Sequence, residues 1–175
     1  RCQRLCREDK RLGVKQYARR GVNGETIGML GLGKIGTRLT RLLASYPLKV
    51  IAYDPFLTAE RAASLGVERV TLDQVFQRAS VVCNHIPDIA ATRGMLSARQ
   101  FRAMRDGATL INTGRGAQVV EPDLLAVLRD RTDLTALTDV TWPEPPPADA
   151  PHWTLPNLVM TPHIGGTTGD EVVRS

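Results

Sequence analysis

The sequence predicts an α/β protein: a doubly wound parallel sheet with helices on both faces. Three observations carry this reading. Short apolar runs alternate with stretches of helical periodicity along most of the chain. The runs are joined by crossovers long enough for a helix, which is the spacing that parallel neighbours require. A glycine-rich turn, Gly31 to Gly36, stands between the first apolar run and the first helical stretch.

The elements follow in order. Strands are predicted at 26–30, 49–53, 80–84, 108–112, 134–138 and 158–160, each a short apolar run bounded by turn residues. Helices are predicted at 35–45, 59–65, 72–78, 98–104 and 122–129, where apolar positions recur every three to four residues. Ser97 with Gln100 three residues later has the form of a capping box, and Glu121-Pro122-Asp123 places proline and acids where a first helical turn favours them. The segment 143–151, PEPPPADAP, can be neither helix nor central strand, because its prolines lack N–H donors and push their predecessors out of the helical region. It is expected to be a stiff, exposed loop following a strand end. There is no internal repeat.

Composition narrows the function classes. The chain has 175 residues, 42% of them hydrophobic, which suits one core and would be cramped for two. The net charge of +5 is concentrated in residues 1–20, which hold eight Lys or Arg against two acids, so the remainder is close to neutral. That distribution argues for a basic helix facing solvent or a partner and against a nucleic-acid binder, since only Tyr17 accompanies it. No apolar run reaches 18 residues and no secretory signal opens the chain, so a cytoplasmic protein without a membrane partner is expected. The absence of an initiator Met suggests a cut end. Cys2, Cys6 and Cys83 lack further ligands around them, which points to reduced thiols and no metal site.

Gly31-Leu-Gly-Lys-Ile-Gly36 has the context that a dinucleotide-binding turn requires, strand before and helix after. Gly31 permits the tight turn, Gly33 lets backbone approach a pyrophosphate, and Gly36 lets helix and strand pack closely. The phosphates would meet the N–H groups of Lys34 and Ile35 at the positive end of the helix. The second strand ends in Asp54, 18 residues after Gly36, where an acid accepts hydrogen bonds from the ribose hydroxyls and repels a 2′-phosphate. The pattern is that of a Rossmann sheet, and it favours NAD over NADP.

Two later strands run into INTGRGA and LTDVTWPEP, ends that open onto the cofactor crevice in a doubly wound sheet. Arg115, flanked by Gly114 and Gly116, has the planar fork that suits a carboxylate. At this point the chain resembles the D-isomer-specific 2-hydroxyacid dehydrogenases. The resemblance runs from about Glu25 to Thr168 through GLGKIG, AYDP, NHIP with TRGML, INTGRGAQV, TDVTWPEPPPADAP and LPNLVMTPHIGG. It implies that Arg115 binds the substrate carboxylate and carbonyl, that His163 is the general acid/base, and that Glu144 is its acidic partner. It further implies that Asp139 holds the nicotinamide carboxamide, that Asp54 takes the ribose, that Gly31, Gly33, Lys34, Ile35 and Gly36 form the pyrophosphate turn, and that Ile86, Thr113, Gly114 and Gly165 line the cofactor.

These roles are chemically coherent. Oxidising a 2-hydroxy acid needs a group that takes the hydroxyl proton near neutral pH, which histidine can do. A carboxylate beside it fixes the tautomer and stabilises the imidazolium, and an arginine neutralises the substrate carboxylate and polarises the carbonyl. His85 is expected beside the crevice and His152 in the proline-rich loop, neither with a chemical role.

The resemblance also implies a second, substrate-binding domain that is largely absent from this chain. Residues 1–20 would then be the connecting helix, 21–168 the cofactor domain, and 169–175 the start of the return. Homodimerisation through the cofactor domains is implied as well. Asp88, Thr141 and Trp142 depart from the family pattern near the active-site opening. The alternative function is an NAD-sensing, corepressor-like binding protein that acts through partners without physiological turnover.

Overall fold

The computed structural model describes residues 23–166. Its strands are β1 (Thr26–Leu30), β2 (Lys49–Tyr53), β3 (Glu68–Arg69), β4 (Val81–Asn84), β5 (Thr109–Asn112), β6 (Thr135–Thr138) and β7 (Leu158–Met160). Its helices are α1 (Lys34–Leu43), α2 (Ala59–Leu65), α3 (Leu72–Arg78), α4 (Ala98–Arg102) and α5 (Glu121–Asp130). The strands form one sheet in the order β3-β2-β1-β4-β5-β6-β7, and every pairing is parallel. The chain winds outward from β1 in both directions, so β1 and β4 flank the point where the strand order reverses.

All six expected strands form, with ends moved by one residue at most, and the five helices agree within two residues. The expectation omitted β3. That strand is two exposed, charged residues at the sheet edge, paired Ile51 to Glu68 and Ala52 to Arg69, and has no apolar signature to read. The basic segment 1–20 with Cys2 and Cys6, and the return segment 169–175, lie outside the described residues.

Side chains alternate across the sheet as the strand period of two requires. Leu30, Ile51, Val82, Leu110 and Ala136 join the core on one face together with residues of α3, α4 and α5, where Phe76 and Phe101 meet edge to face with ring centres 6.1 Å apart. Met29, Ala52 and Cys83 face the other way, toward Leu57, Ala62 and Val67. Cys83 is a free thiol, and burial pushes it up to about 11, which makes it inert at neutral pH.

The ladder register matters most for function. Leu30 pairs with both Tyr53 and Asn84, Asn84 with Asn112, Asn112 with Thr138, and Thr138 with Met160. The carboxyl ends of six strands therefore stop on one line across the sheet. The segments beyond it all emerge on the same side.

Helix starts are set locally. Thr71 and Gln74 form a full capping box at α3, with Gln74 N–H on the Thr71 hydroxyl at 3.2 Å and Thr71 N–H on Gln74 Oε1 at 2.9 Å. At α4 the expected box forms by half. Gln100 Oε1 accepts the Ser97 N–H at 3.1 Å, but the Ser97 hydroxyl donates to that same oxygen at 3.0 Å and does not cap the helix. Asp123 Oδ2, from the first turn of α5, instead accepts the Ala98 N–H at 2.8 Å.

The glycine turn is tight. A Cβ on Gly36 would stand 2.2 Å from the Gly31 carbonyl oxygen, a backbone atom that cannot swing away. Gly36→Ala should therefore cost about 1–3 kcal/mol in urea unfolding, as overpacking does elsewhere. A variant as stable as the parent would show that helix and turn do not meet this closely.

Candidate active site

The turn after β1 is held from both sides. Gly31 takes a positive φ of 84° and donates its N–H to Tyr53 O at 2.9 Å. Asp54 accepts the N–H of Leu32 at 2.7 Å on one carboxylate oxygen and that of Phe56 at 2.8 Å on the other. The Arg61 guanidinium, from α2, donates to Leu32 O at 2.6 Å. Lys34 and Ile35, the first residues of α1, are exposed, and no acid occupies that first turn. A Cβ on Gly33 would meet nothing within 4 Å. A helix start with free N–H groups and open backbone in front of it is built for an anion.

In front of the turn lies a crevice of about 860 Å³, lined by Gly31, Ile35, Asp54, Ile86, Thr113 and Arg115 among others. That volume suits a bound dinucleotide. His85 lines it as expected, and burial lowers its basicity, which keeps the ring neutral. Asp88 also lines the crevice and is paired with Arg93 at 2.9 Å.

The loop that presents Arg115 rests on a buried amide network that the sequence reading missed. Asn84 Nδ2 donates to Asn112 Oδ1 at 2.9 Å and to Gln118 Oε1 at 2.6 Å. Those acceptors also receive the N–H groups of Gly114 and Arg115, at 3.1 and 3.3 Å. Gln118 Nε2 closes the circuit on Ile86 O at 2.6 Å. All three amides are buried, so the loop is anchored while the Arg115 side chain stays exposed. A Cβ on Gly116 would reach within 2.1 Å of Thr141 O, which presses this loop onto the segment after β6. Two Asn residues ending neighbouring strands were the available signal.

The opening stretch of the segment after β7 is organised by Asp139. One of its oxygens accepts the Thr161 hydroxyl and the Ile164 N–H, the latter at 2.9 Å, and the other accepts the Gly165 N–H at 2.6 Å. Burial opposes ionisation of Asp139, but the Thr161 hydroxyl, the two N–H groups and His163 outweigh it and hold the carboxyl below its ordinary value. The turn so formed puts His163 at φ 53°, a left-handed conformation uncommon outside glycine. The His163 Nδ1 then lies 2.7 Å from Glu144 Oε1, with both side chains about two-fifths exposed. An acceptor at Nδ1 leaves Nε2 as the ring nitrogen free to take a proton. Beside Glu144, Thr141 is buried with its hydroxyl on Pro143 O at 2.9 Å, and Trp142 is 61% exposed.

The family model for the D-isomer specific 2-hydroxyacid dehydrogenase, NAD binding domain, matches residues 1–165. The chain belongs to this family. It is 35% identical over 147 residues to a D-3-phosphoglycerate dehydrogenase of Archaeoglobus fulgidus, covering 84% of this chain and 28% of that protein. A D-3-phosphoglycerate dehydrogenase of Mycobacterium leprae is 34% identical over 152 residues, with 87% and 29% covered. Among solved structures, a D-isomer specific 2-hydroxyacid dehydrogenase of Lactobacillus delbrueckii ssp. bulgaricus, in its NAD complexed form, superposes with a TM-score of 0.81 at 25% identity, covering 95% of this chain and 55% of that one. The chain thus spans less than a third of those two curated relatives and about half of the solved structure. The cofactor of the family is NAD. No helix among the described residues is long and apolar enough to cross a membrane.

The Asp139 clamp has a measurable sign. A carboxyl held below its unfolded value adds stability that is present above the ordinary carboxylate range, near pH 4, and lost as pH falls through the folded value. Asp139→Asn should cost about 2 kcal/mol at pH 7, the scale of hydrogen bonds to a charged acceptor. The gap between parent and variant should close in acid, as urea titrations at pH 7 and pH 3 would report; an equal gap at both would remove charge from the explanation.

Proposed function

We propose that this chain is the cofactor domain of an NAD-dependent oxidoreductase acting on the CH–OH group of a D-2-hydroxy acid, in either direction between 2-keto and 2-hydroxy acid. The observation that carries the reading is the His163–Glu144 pair, at 2.7 Å, on the same strand-end rim as the crevice and Arg115. Family membership and the NAD complexed neighbour support it.

In this reading Gly31, Gly33 and Gly36 shape the turn, and the N–H groups of Lys34 and Ile35 receive the pyrophosphate. Asp54 faces the ribose: each of its oxygens has one backbone donor and retains a lone pair for a hydroxyl, while its charge disfavours a 2′-phosphate. Ile86, Thr113, Gly114 and Gly165 line the nicotinamide half, and Asp139 keeps acceptor capacity for the carboxamide beyond the donors it already holds. NAD supplies the hydride acceptor or donor when bound. His163 Nε2 takes the hydroxyl proton during oxidation and returns it during reduction. Glu144 holds the Nδ1–H tautomer and balances the imidazolium, and Arg115 binds the substrate carboxylate and polarises the C2 oxygen.

We place the cofactor domain at residues 21–168, joined by 1–20 and 169–175 to a substrate-binding domain whose wall closes the crevice and excludes water. A cytoplasmic homodimer is the proposed assembly. The greater length of the relatives supports the two-domain arrangement.

Two measurements test this. The isolated chain should bind NAD by calorimetry yet turn over 2-keto acids with NADH only slightly, and robust turnover would refute the two-domain arrangement. In the whole protein, His163→Ala should leave NAD affinity nearly unchanged while turnover falls by roughly a hundredfold or more, the scale of lost general acid/base catalysis. Unchanged turnover would sink the assignment of His163.

A further inference from the structure

The most deeply buried histidine–carboxylate pair among the described residues lies outside the site. His152 Nε2 stands 3.0 Å from Glu121 Oε2, with side chains 7% and 11% exposed. Neither residue has a role in the reading above. Glu121 opens α5, and its second oxygen accepts the N–H of Trp142 at 2.5 Å. His152 sits in a single 3-10 turn, Pro151–Trp153, at the far end of the proline-rich segment. One carboxylate therefore grips both ends of the segment that carries Glu144.

The segment is closed internally as well. The Thr141 hydroxyl bonds Pro143 O at 2.9 Å, and Trp153 Nε1 bonds Pro147 O at 2.8 Å. Its prolines leave few N–H donors of its own, so the grip at its two ends carries most of the polar anchoring. Burial pushes the Glu121 carboxyl up, opposed by the Trp142 N–H and His152, so the pair is held at a desolvation cost. The cavity beside it, lined by Glu121, Thr138, Thr141 and His152, measures about 10 Å³ and has room for one water at most. That size excludes a ligand site and leaves a mechanical role.

We propose that Glu121 and His152 are positioning residues that set Glu144 against His163, and through Glu144 select the His163 tautomer. The inference rests on the proposed pairing of His163 with Glu144 as the proton-transfer unit. A carboxylate at Nδ1 demands the Nδ1–H ring, whereas an imidazole without that acceptor favours Nε2–H. If the loop drifts, His163 presents a proton where it should present a lone pair. A pair that only stabilised the fold would be replaceable by apolar side chains with no effect on that ring.

The experiment reads the ring directly. Long-range proton–nitrogen correlation spectra of the 15N-labelled chain at about pH 8.5, two units above the ordinary imidazole value, report each histidine tautomer. The parent should show His163 as Nδ1–H. A Glu121→Leu/His152→Leu double variant leaves no buried charge unpaired and should fold, but its His163 should move to mainly Nε2–H. Glu121→Gln keeps an acceptor for Trp142 and should keep the parent tautomer. Asn157→Ala removes donors to Leu128 O and Leu134 O, so it should lower the melting temperature without moving the ring. If the double variant does not fold, Glu121→Met removes the acceptor with an unbranched side chain of similar length and carries the same expectation.

A folded double variant, or Glu121→Met, that retains Nδ1–H overturns the positioning role, as does an equal tautomer change in Asn157→Ala. A parent chain already in the Nε2–H form overturns the His163–Glu144 pairing itself, and the positioning role with it.

Discussion

The parallel ladder is the constraint on which the rest depends. Six strands end in register, from Tyr53 and Leu30 through Asn84, Asn112 and Thr138 to Met160. Neighbouring strands sit about 5 Å apart, so segments leaving adjacent ends are forced into contact. Gly31, Asp54, His85, Thr113, Asp139 and Thr161 are the first residues past that line, and the groups proposed for cofactor and proton transfer lie on it or within a few residues of it. Residues as distant in sequence as Gly31 and His163 share one rim because their strands share one polarity.

Beyond the rim the backbone is irregular, and carboxylates do much of the work that ladders do inside the sheet. Asp54 ties the glycine turn to the loop after β2, and Asp139 holds the turn of His163. Glu121 grips the proline-rich segment and Asp123 caps α4, and at the opposite, amino-end edge of the sheet Asp133 accepts the N–H of Gly107. An ionised carboxylate only accepts, and it accepts at two oxygens, so one side chain can fasten two segments with charge-assisted bonds. The neutral counterpart is the network of Asn84, Asn112 and Gln118 under the Arg115 loop. Exposed chemistry is mounted on buried or half-buried polar anchors in both cases.

Much of this was legible beforehand, and the exceptions have physical causes. Strand runs such as Val50 to Tyr53 and the helix of Leu72, Val75 and Phe76 write their burial into local periodicity. The glycine turn is readable because Gly31 needs a positive φ and Gly36 tolerates no side chain. By contrast β3 is two charged residues whose pairing is decided by the free edge of β2. The capping pattern at Ser97 forms by half: its hydroxyl turns to Gln100 Oε1, and Asp123, far along the chain, takes the neighbouring Ala98 N–H. His152 was read as an ordinary loop residue, since nothing adjacent to it in sequence indicates that Glu121 lies beneath it.

The sequence by itself determined the sheet, the order of its elements, the glycine turn and the residue types able to move a proton and bind a carboxylate. Those features depend on short-range periodicity, on glycine sterics and on motifs a few residues long. Only the tertiary structure decided which acceptor each loop N–H finds. That choice brought Glu144 to His163, assigned Asp139 to the turn beside it, and joined His152 to Glu121. A carboxylate has no preferred sequence separation for its donors, so where it reaches is settled by packing.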